Sequence, residues 1–217
     1  MTENYDSGSL IASMLLQCKA IKISAGHPYT WASGIKSPIY CDLRQTLSFP
    51  QVRRQIALQL TQLVKEKFPD VEVIAGVATG AIAHGVLVAE ELGLPFVYVR
   101  SAAKEHGLHN LVEGRLLAGQ KTIVVEDLVS TGKSSIAAVK SLLHHGFVVE
   151  GMVAIFTYGL QESEEMFRKN QHSLFTLTNY NQLIETALQE SQISSEELAI
   201  LQDWKVNPRI WGNKFLK

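Results

Sequence analysis

From Val71 onward the chain alternates short apolar runs of β character with segments of helical periodicity, and few folds accommodate that order. The runs are Val71–Val77 (VEVIAGV), Phe96–Val99 (FVYV), Thr122–Val125 (TIVV) and Val148–Tyr158 (VVEGMVAIFTY). A strand that is apolar on both faces must be covered on both, and strands joined by helical crossovers run parallel. The pattern predicts an α/β fold with a central, mostly parallel sheet flanked by helices. The first crossover reads as a small-residue loop, ATGAIAHG, then a helix, VLVAEELG, closed by Gly93. The helix after Ser135 presents Ile136, Val139 and Leu143 on one face and ends at Gly146.

Before the alternation, Leu10 to Lys19 places Leu10, Ile11, Met14, Leu15 and Cys18 on one helical face. Residues 24–44 are punctuated by Gly and Pro and read as loop with short extended pieces. A further helix is predicted from Ser48, with Gln51 as capping-box partner, Pro50 in the first turn and an apolar stripe of Val52, Ile56, Leu60, Leu63 and Val64. Beyond Gly159 the chain reads as polar and helical, with Ser194 and Glu197 forming another cap. No repeat or low-complexity linker divides its 217 residues, so one domain is expected, and 46% apolar residues suffice for a core without a disulfide or metal.

Composition narrows the partners. A formal net charge of -1 lacks the basic excess of a broad nucleic-acid surface. Cys18 and Cys41 form no CxxC and no metal-ligand spacing, which suits a reducing compartment. Glu3 and Asp6 stand where a secretory signal carries cations, and no apolar stretch reaches membrane-spanning length. A soluble, cytoplasmic protein with no nucleic-acid or membrane partner is expected.

The segment with most chemical content is Thr122–Ser135, TIVVEDLVSTGKSS. It reads as a buried strand ending in Glu126 and Asp127, then a turn, Ser130-Thr131-Gly132-Lys133-Ser134, that opens a helix. Backbone N–H groups at a helix N-terminus form an anion site, and Gly132 permits close approach. Two carboxylates beside a phosphate pocket repel the ligand unless they bind something else on it, namely vicinal hydroxyls or a cation. A ribose 5-phosphate satisfies both demands. The GKS at 132–134 is no Walker A loop, because Asp127 stands where that motif needs glycine. The competing reading is a helix cap beside two solvated acids.

Arg100, Lys104 and His106 follow the Phe96–Val99 run and can fold over an anionic leaving group, although a solvated loop has the same composition. Ala78-Thr79-Gly80-Ala81 follows another strand; it can offer N–H groups to a second phosphate or serve only close packing. All three loops follow strand C-termini, where open parallel sheets bind ligands. The remaining histidines, and Ser-His-Asp or cysteine arrangements, show no supported pattern, so the chemistry suggested is charge-aided displacement without a covalent enzyme intermediate.

These residues resemble a known family. VVEDLVSTGKS (124–134) resembles the phosphoribosyl-diphosphate (PRPP) signature of type I phosphoribosyltransferases, and RSAAKEHG (100–107) the catalytic loop of the orotate-specific members. ASGIKSPIYCDLR (32–44) is similar to the segment that helps form their orotate pocket. The resemblance spans about residues 10–160 and implies a small N-terminal hood, about 10–45, with a helical extension from about 160. It implies transfer of the phosphoribosyl group from PRPP to orotate, in pyrimidine synthesis, with Mg²⁺ riding on PRPP. Glu126 and Asp127 would hold the ribose hydroxyls, and Leu128, Val129, Ser130, Thr131, Gly132, Lys133 and Ser134 would wrap the 5-phosphate. Ser130 and the main chain around Tyr40 would meet orotate, while Arg100, Lys104 and His106 would bind the diphosphate. A homodimer sharing this loop across subunits is implied. Ala32 and Ser101 depart from lysines carried by some relatives, which shifts the diphosphate's load onto Arg100 and Lys104. A purine-base transferase and a non-catalytic PRPP-binding regulator are the alternatives.

Overall fold

The computed structural model describes residues 7–31, 34–100, 111–115 and 117–215. It divides into two compact units: the chain up to Thr46 with the stretch from Tyr180 onward, and Leu47–Asn179. The N-terminal part of the first unit holds α1 (Ser7–Gln17), β1 (Ile21–Ile23), β2 (Tyr29–Thr30), β3 (Lys36–Ser37) and β4 (Ile39–Cys41). β1 pairs antiparallel with β4, and β2 with β3. On α1, Ile11, Ala12, Leu15 and Leu16 are buried, as is Cys18 just beyond it.

The second unit carries the sheet. Its elements are α2 (Pro50–Lys67), β5 (Val73–Val77), α3 (Ala81–Leu92), β6 (Phe96–Val99), β7 (Val112–Glu113), β8 (Lys121–Val129), α4 (Lys133–His144), β9 (Val148–Thr157), α5 (Gln161–Lys169) and β10 (Leu174–Asn179). The strand order is β10-β9-β8-β5-β6-β7, parallel throughout except for the antiparallel β7. β5 is buried at every position, as the continuous apolar run requires of a central strand. The expected α/β class with a mostly parallel sheet is the one observed. The tail then adds α6 (Tyr180–Gln189) and α7 (Ser195–Val206) to the first unit.

Several local expectations are corrected. Ser48 does not cap α2: it ends a 3-10 turn over Leu43–Ser48, and Phe49 occupies the N-cap without a side-chain bond. Pro50, whose missing N–H costs nothing at a first helical position, begins the helix instead. α3 starts at Ala81, five residues earlier than its apolar pattern suggests. The small residues that read as loop are the face that lies on the sheet: a Cβ on Gly85 would fall 2.7 Å from the Phe96 ring. On α4 it is Leu142, fully buried, that completes the stripe with Ile136 and Val139, while Leu143 is 45% exposed. The segment after Gly159 is not wholly helical, since β10 pairs with β9. The cap at Ser194 is present in both directions, Glu197 N to Ser194 Oγ and Ser194 N to the Glu197 carboxylate.

Candidate active site

β8 runs on to Val129, two residues past Asp127, so Glu126 and Asp127 lie within the strand and not at its end. Its pairing with β9 continues through Glu126↔Ala154 and Leu128↔Phe156 to Val129↔Thr157. On the other side β5 pairs with β8 through Gly76↔Val125 and with β6 through Val77↔Val99. Continuing these registers by one row or two aligns Ala78 with Asp127 and with Arg100; the Ala78 N–H donates to the Val99 carbonyl at 2.8 Å. Two strand spacings separate Arg100 from Asp127, about 10 Å between backbones. From β5 the chain leads out to β6 on one side and returns to β8 on the other, so this row lies at the switch point where doubly wound sheets bind ligands.

The two carboxylates differ sharply in environment. Glu126 is buried, and burial first, then the neighbouring Asp127 charge, pushes its carboxyl well above the usual carboxylate range. Its Oε1 accepts from the Asp127 N–H at 3.3 Å and its Oε2 from Ser135 Oγ at 3.2 Å. Asp127 is half-buried, and its Oδ1 accepts from the Leu128 N–H at 2.8 Å. Gly80 lies directly against that carboxylate: any Cβ there would overlap it. The glycine in the loop after β5 is therefore explained by packing, and the packing partner is the acid on β8. The peptide between Ala78 and Thr79 in the same loop is cis.

The turn from Ser130 to Gly132 leads into α4, with Gly132 as N-cap at φ 78°, a conformation that glycine adopts at least cost. A Cβ at Gly132 would press on Phe167 at 3.2 Å, so α5 backs the turn. Ser130 and Thr131 are half-buried and Ser134 is exposed. Lys133, mostly exposed, pairs with Glu162 at 3.3 Å. Leu128 is half-buried, whereas the Val129 side chain belongs to the core and its carbonyl accepts from Thr157 Oγ1 and Tyr158 N. The first N–H groups of α4 lack intrahelical acceptors by construction and point toward the turn, a cradle for an anion.

At the end of β6, Arg100 is bound to Glu113 of β7 at 3.4 Å, and its backbone N–H donates to the Leu111 carbonyl at 2.8 Å. Lys104 and His106 lie outside the described residues. Tyr40 is on β4 of the other unit, 40% exposed, with its ring tilted against that of Tyr29 at 5.6 Å between centroids. His84 on α3 is fully buried, and burial lowers its pKa to about 4, so it is neutral at physiological pH. Sequence reasoning missed Ser135 and Glu113 as partners. A serine early in a helix carries no signal beyond capping, and Glu113 is thirteen residues from the arginine it holds.

The second unit thus unites a buried and a half-buried carboxylate, an anion-binding helix start and an arginine on one edge of the sheet. Acceptors suited to a diol and donors suited to a phosphate stand side by side there. Among the described residues no group of three or more His, Cys, Asp or Glu side chains forms a metal cage, and no helix is long and apolar enough to cross a membrane.

The phosphoribosyl transferase domain family matches residues 44–191. Over 205 residues the chain is 54% identical to the orotate phosphoribosyltransferase of Porphyromonas gingivalis, covering 94% of this chain and 98% of that protein. The Listeria innocua orotate phosphoribosyltransferase is 51% identical over 202 residues, 93% of this chain and 97% of that one. Among solved structures, orotate phosphoribosyltransferase from Aeropyrum pernix shares the fold at a TM-score of 0.73 and 23% identity, over 85% of this chain and 99% of that one. UMP synthase from Leishmania donovani does so at 0.79 and 21%, over 93% of this chain and 42% of that one.

Proposed function

Because the chain belongs to the orotate phosphoribosyltransferase family, we propose that it transfers the phosphoribosyl group of PRPP to orotate, giving orotidine 5′-monophosphate and pyrophosphate. The structural observation that carries this reading is the row at the switch point, where Ala78 and Arg100, the first residues beyond β5 and β6, continue the parallel registers that lead to Asp127 on β8. A ribose lying across that row would set its hydroxyls against Glu126 and Asp127 and its 5-phosphate in the turn from Leu128 to Ser134. Its diphosphate would extend toward Arg100, Lys104 and His106. Tyr40 and Ser130 are assigned to orotate on the resemblance of residues 32–44 and 124–134.

In the reaction a carbon–nitrogen bond to the base forms as the carbon–oxygen bond to the diphosphate breaks; the electron pair leaves with the diphosphate, and the base nitrogen gives up its proton to solvent. The transition state carries positive character on the ribose and growing negative charge on the departing group. Fixed donors aimed at that growing charge lower the barrier most. Arg100, already oriented by Glu113, and Lys104 take that task. The acids at 126 and 127 hold the sugar by accepting from its hydroxyls.

Mg²⁺ fits this site as an ion that arrives on its substrate. The donors at the row are two carboxylates already engaged by backbone and side-chain hydrogen bonds, not a cage, and Mg²⁺ characteristically keeps waters and substrate phosphate oxygens as ligands. When bound it would neutralise charge on the diphosphate. A cytoplasmic homodimer, with the loop at 100–107 reaching the neighbouring subunit's site, completes the proposal.

The test is loss of orotate absorbance on mixing the protein with PRPP, Mg²⁺ and orotate. Turnover is expected with orotate and not with hypoxanthine or adenine; the reverse would transfer the chain to the purine branch, and PRPP binding without turnover would make it a regulator. Lys104→Ala is expected to lower kcat by about a hundredfold, the scale of losing one charge-stabilising donor, while PRPP still binds. An unchanged rate would remove the loop from the mechanism.

A further inference from the structure

The candidate diol clamp and the candidate phosphate cradle belong to different elements. Glu126 is on β8, and the N–H groups of the cradle open α4 seven residues later. A ligand that spans both needs their separation and mutual orientation fixed before it binds, since every loose rotamer must otherwise be ordered at the moment of binding. A turn containing Gly132 is not by itself stiff enough to do this.

One side chain joins the two. Ser135 is the third residue of α4, is 1% exposed, and donates its hydroxyl hydrogen to Glu126 Oε2 at 3.2 Å. The bond closes the whole segment 127–134 into a loop whose ends are the acid and the helix start. Glu126 Oε1 is meanwhile held by the Asp127 amide at 3.3 Å, so both carboxylate oxygens are tied to the protein. A carboxylate offers about four lone-pair sites, so these bonds leave it able to accept from a sugar hydroxyl while removing the rotation that would misdirect it. The buried acid is also disfavoured as an anion by its surroundings, and a hydroxyl donor at the positive end of α4 works against that penalty.

We propose that Ser135 is a positioning residue for PRPP: by tying Glu126 to the start of α4 it fixes the acid's orientation and the span between clamp and cradle. The assignment rests on the reading of the row as a PRPP site. Ser135 is not among the residues assigned to the base, so its effect should fall on PRPP alone.

The experiment compares Ser135→Ala, Ser135→Thr and Ser135→Val. Threonine and valine fill the same space and differ in the hydroxyl, so packing cancels between them. Binding of PRPP with Mg²⁺ is measured by calorimetry without base, and KM for each substrate by turnover. Ser135→Ala is expected to weaken PRPP binding about tenfold, as for loss of a hydrogen bond to a charged group, while KM for orotate moves less than twofold. Ser135→Thr should bind PRPP several times more tightly than Ser135→Val. Wild-type PRPP affinity in Ser135→Ala, equal affinity in the threonine and valine variants, or equal loss for PRPP and orotate would each overturn the proposal. Because the calorimetric arm needs no acceptor base, it reads the role of Ser135 even if orotate is not the base consumed.

Discussion

Glu126 is held where a carboxylate is least comfortable, inside the sheet with a second acid beside it. A group whose folded pKa is raised adds stability only while it is protonated, and that contribution disappears as pH rises from its ordinary carboxylate value through the folded one. At neutral pH the acid therefore costs stability, a cost accepted for binding. Glu126→Gln keeps the shape and removes the charge. It should raise Tm by a few degrees at pH 7, the response of a chain this size to about 1 kcal/mol, and the gain should shrink toward pH 4, where the native glutamate is protonated too. PRPP affinity should fall at least tenfold in the same variant. A Tm unchanged at pH 7, or a gain that grows on acidification, would show that the buried charge is not what limits stability there. The pair Glu126-Asp127 was legible in the sequence because acids directly after an apolar run and before a Gly-rich helix start have few other uses. Their inequality was not, since which of two adjacent side chains is buried depends on where the strand ends.

At the scale of elements, β5, β6, β8 and β9 could be read because their apolar runs are nearly continuous. β10, with the sequence LFTLTN, is half-buried at most positions and polar at alternate ones, so it resembled the helical surroundings. β7 has only two residues and exists by pairing with β6. The start of α3 was hidden for the opposite reason: Gly80, Ala81 and Gly85 are small because the helix and its N-cap lie close on the sheet, and smallness in sequence looks like loop. The same closeness gives a prediction. Gly80, the N-cap of α3, abuts the Asp127 carboxylate, so Gly80→Ala must displace either the loop after β5 or the acid on β8. Its backbone lies in the right-handed helical region, which alanine adopts without strain, so the variant should fold. We expect it to bind PRPP about tenfold more weakly or worse, with a Tm within a few degrees of wild type. Unaltered PRPP binding would mean that Asp127 can move aside freely and is not a fixed part of the clamp.

The whole chain is organised less by order along the sequence than by which segments share a core. The tail after Asn179 had no role readable from its residues, because its apolar positions are matched by segments more than 140 residues away. Trp204 on α7 is fully buried; its indole N–H donates to the Lys36 carbonyl at 2.9 Å, and its ring packs edge-on against Trp31 at 5.7 Å and beside Tyr180 at 5.2 Å. Tyr180, also fully buried, donates its hydroxyl to the Leu201 carbonyl at 3.0 Å, and burial raises its pKa far above the tyrosine value. Ser13 of α1 bonds Glu190, and α1 lies against α6 closely enough that a Cβ on Gly8 would meet the Gln182 side chain. The N-terminal strands are two or three residues long. Such short pairs do not hold themselves in water, so the tail supplies the hydrophobic half of their support. Trp204→Ala should therefore cost about 3–5 kcal/mol, and the loss should appear jointly in α1, in β1 with β4, and in α6 as faster amide hydrogen exchange. Segments that open together form one cooperative unit whatever their distance in sequence. Faster exchange confined to α7, with α1 and β1 still protected, would show that the N-terminal segment stands without the tail.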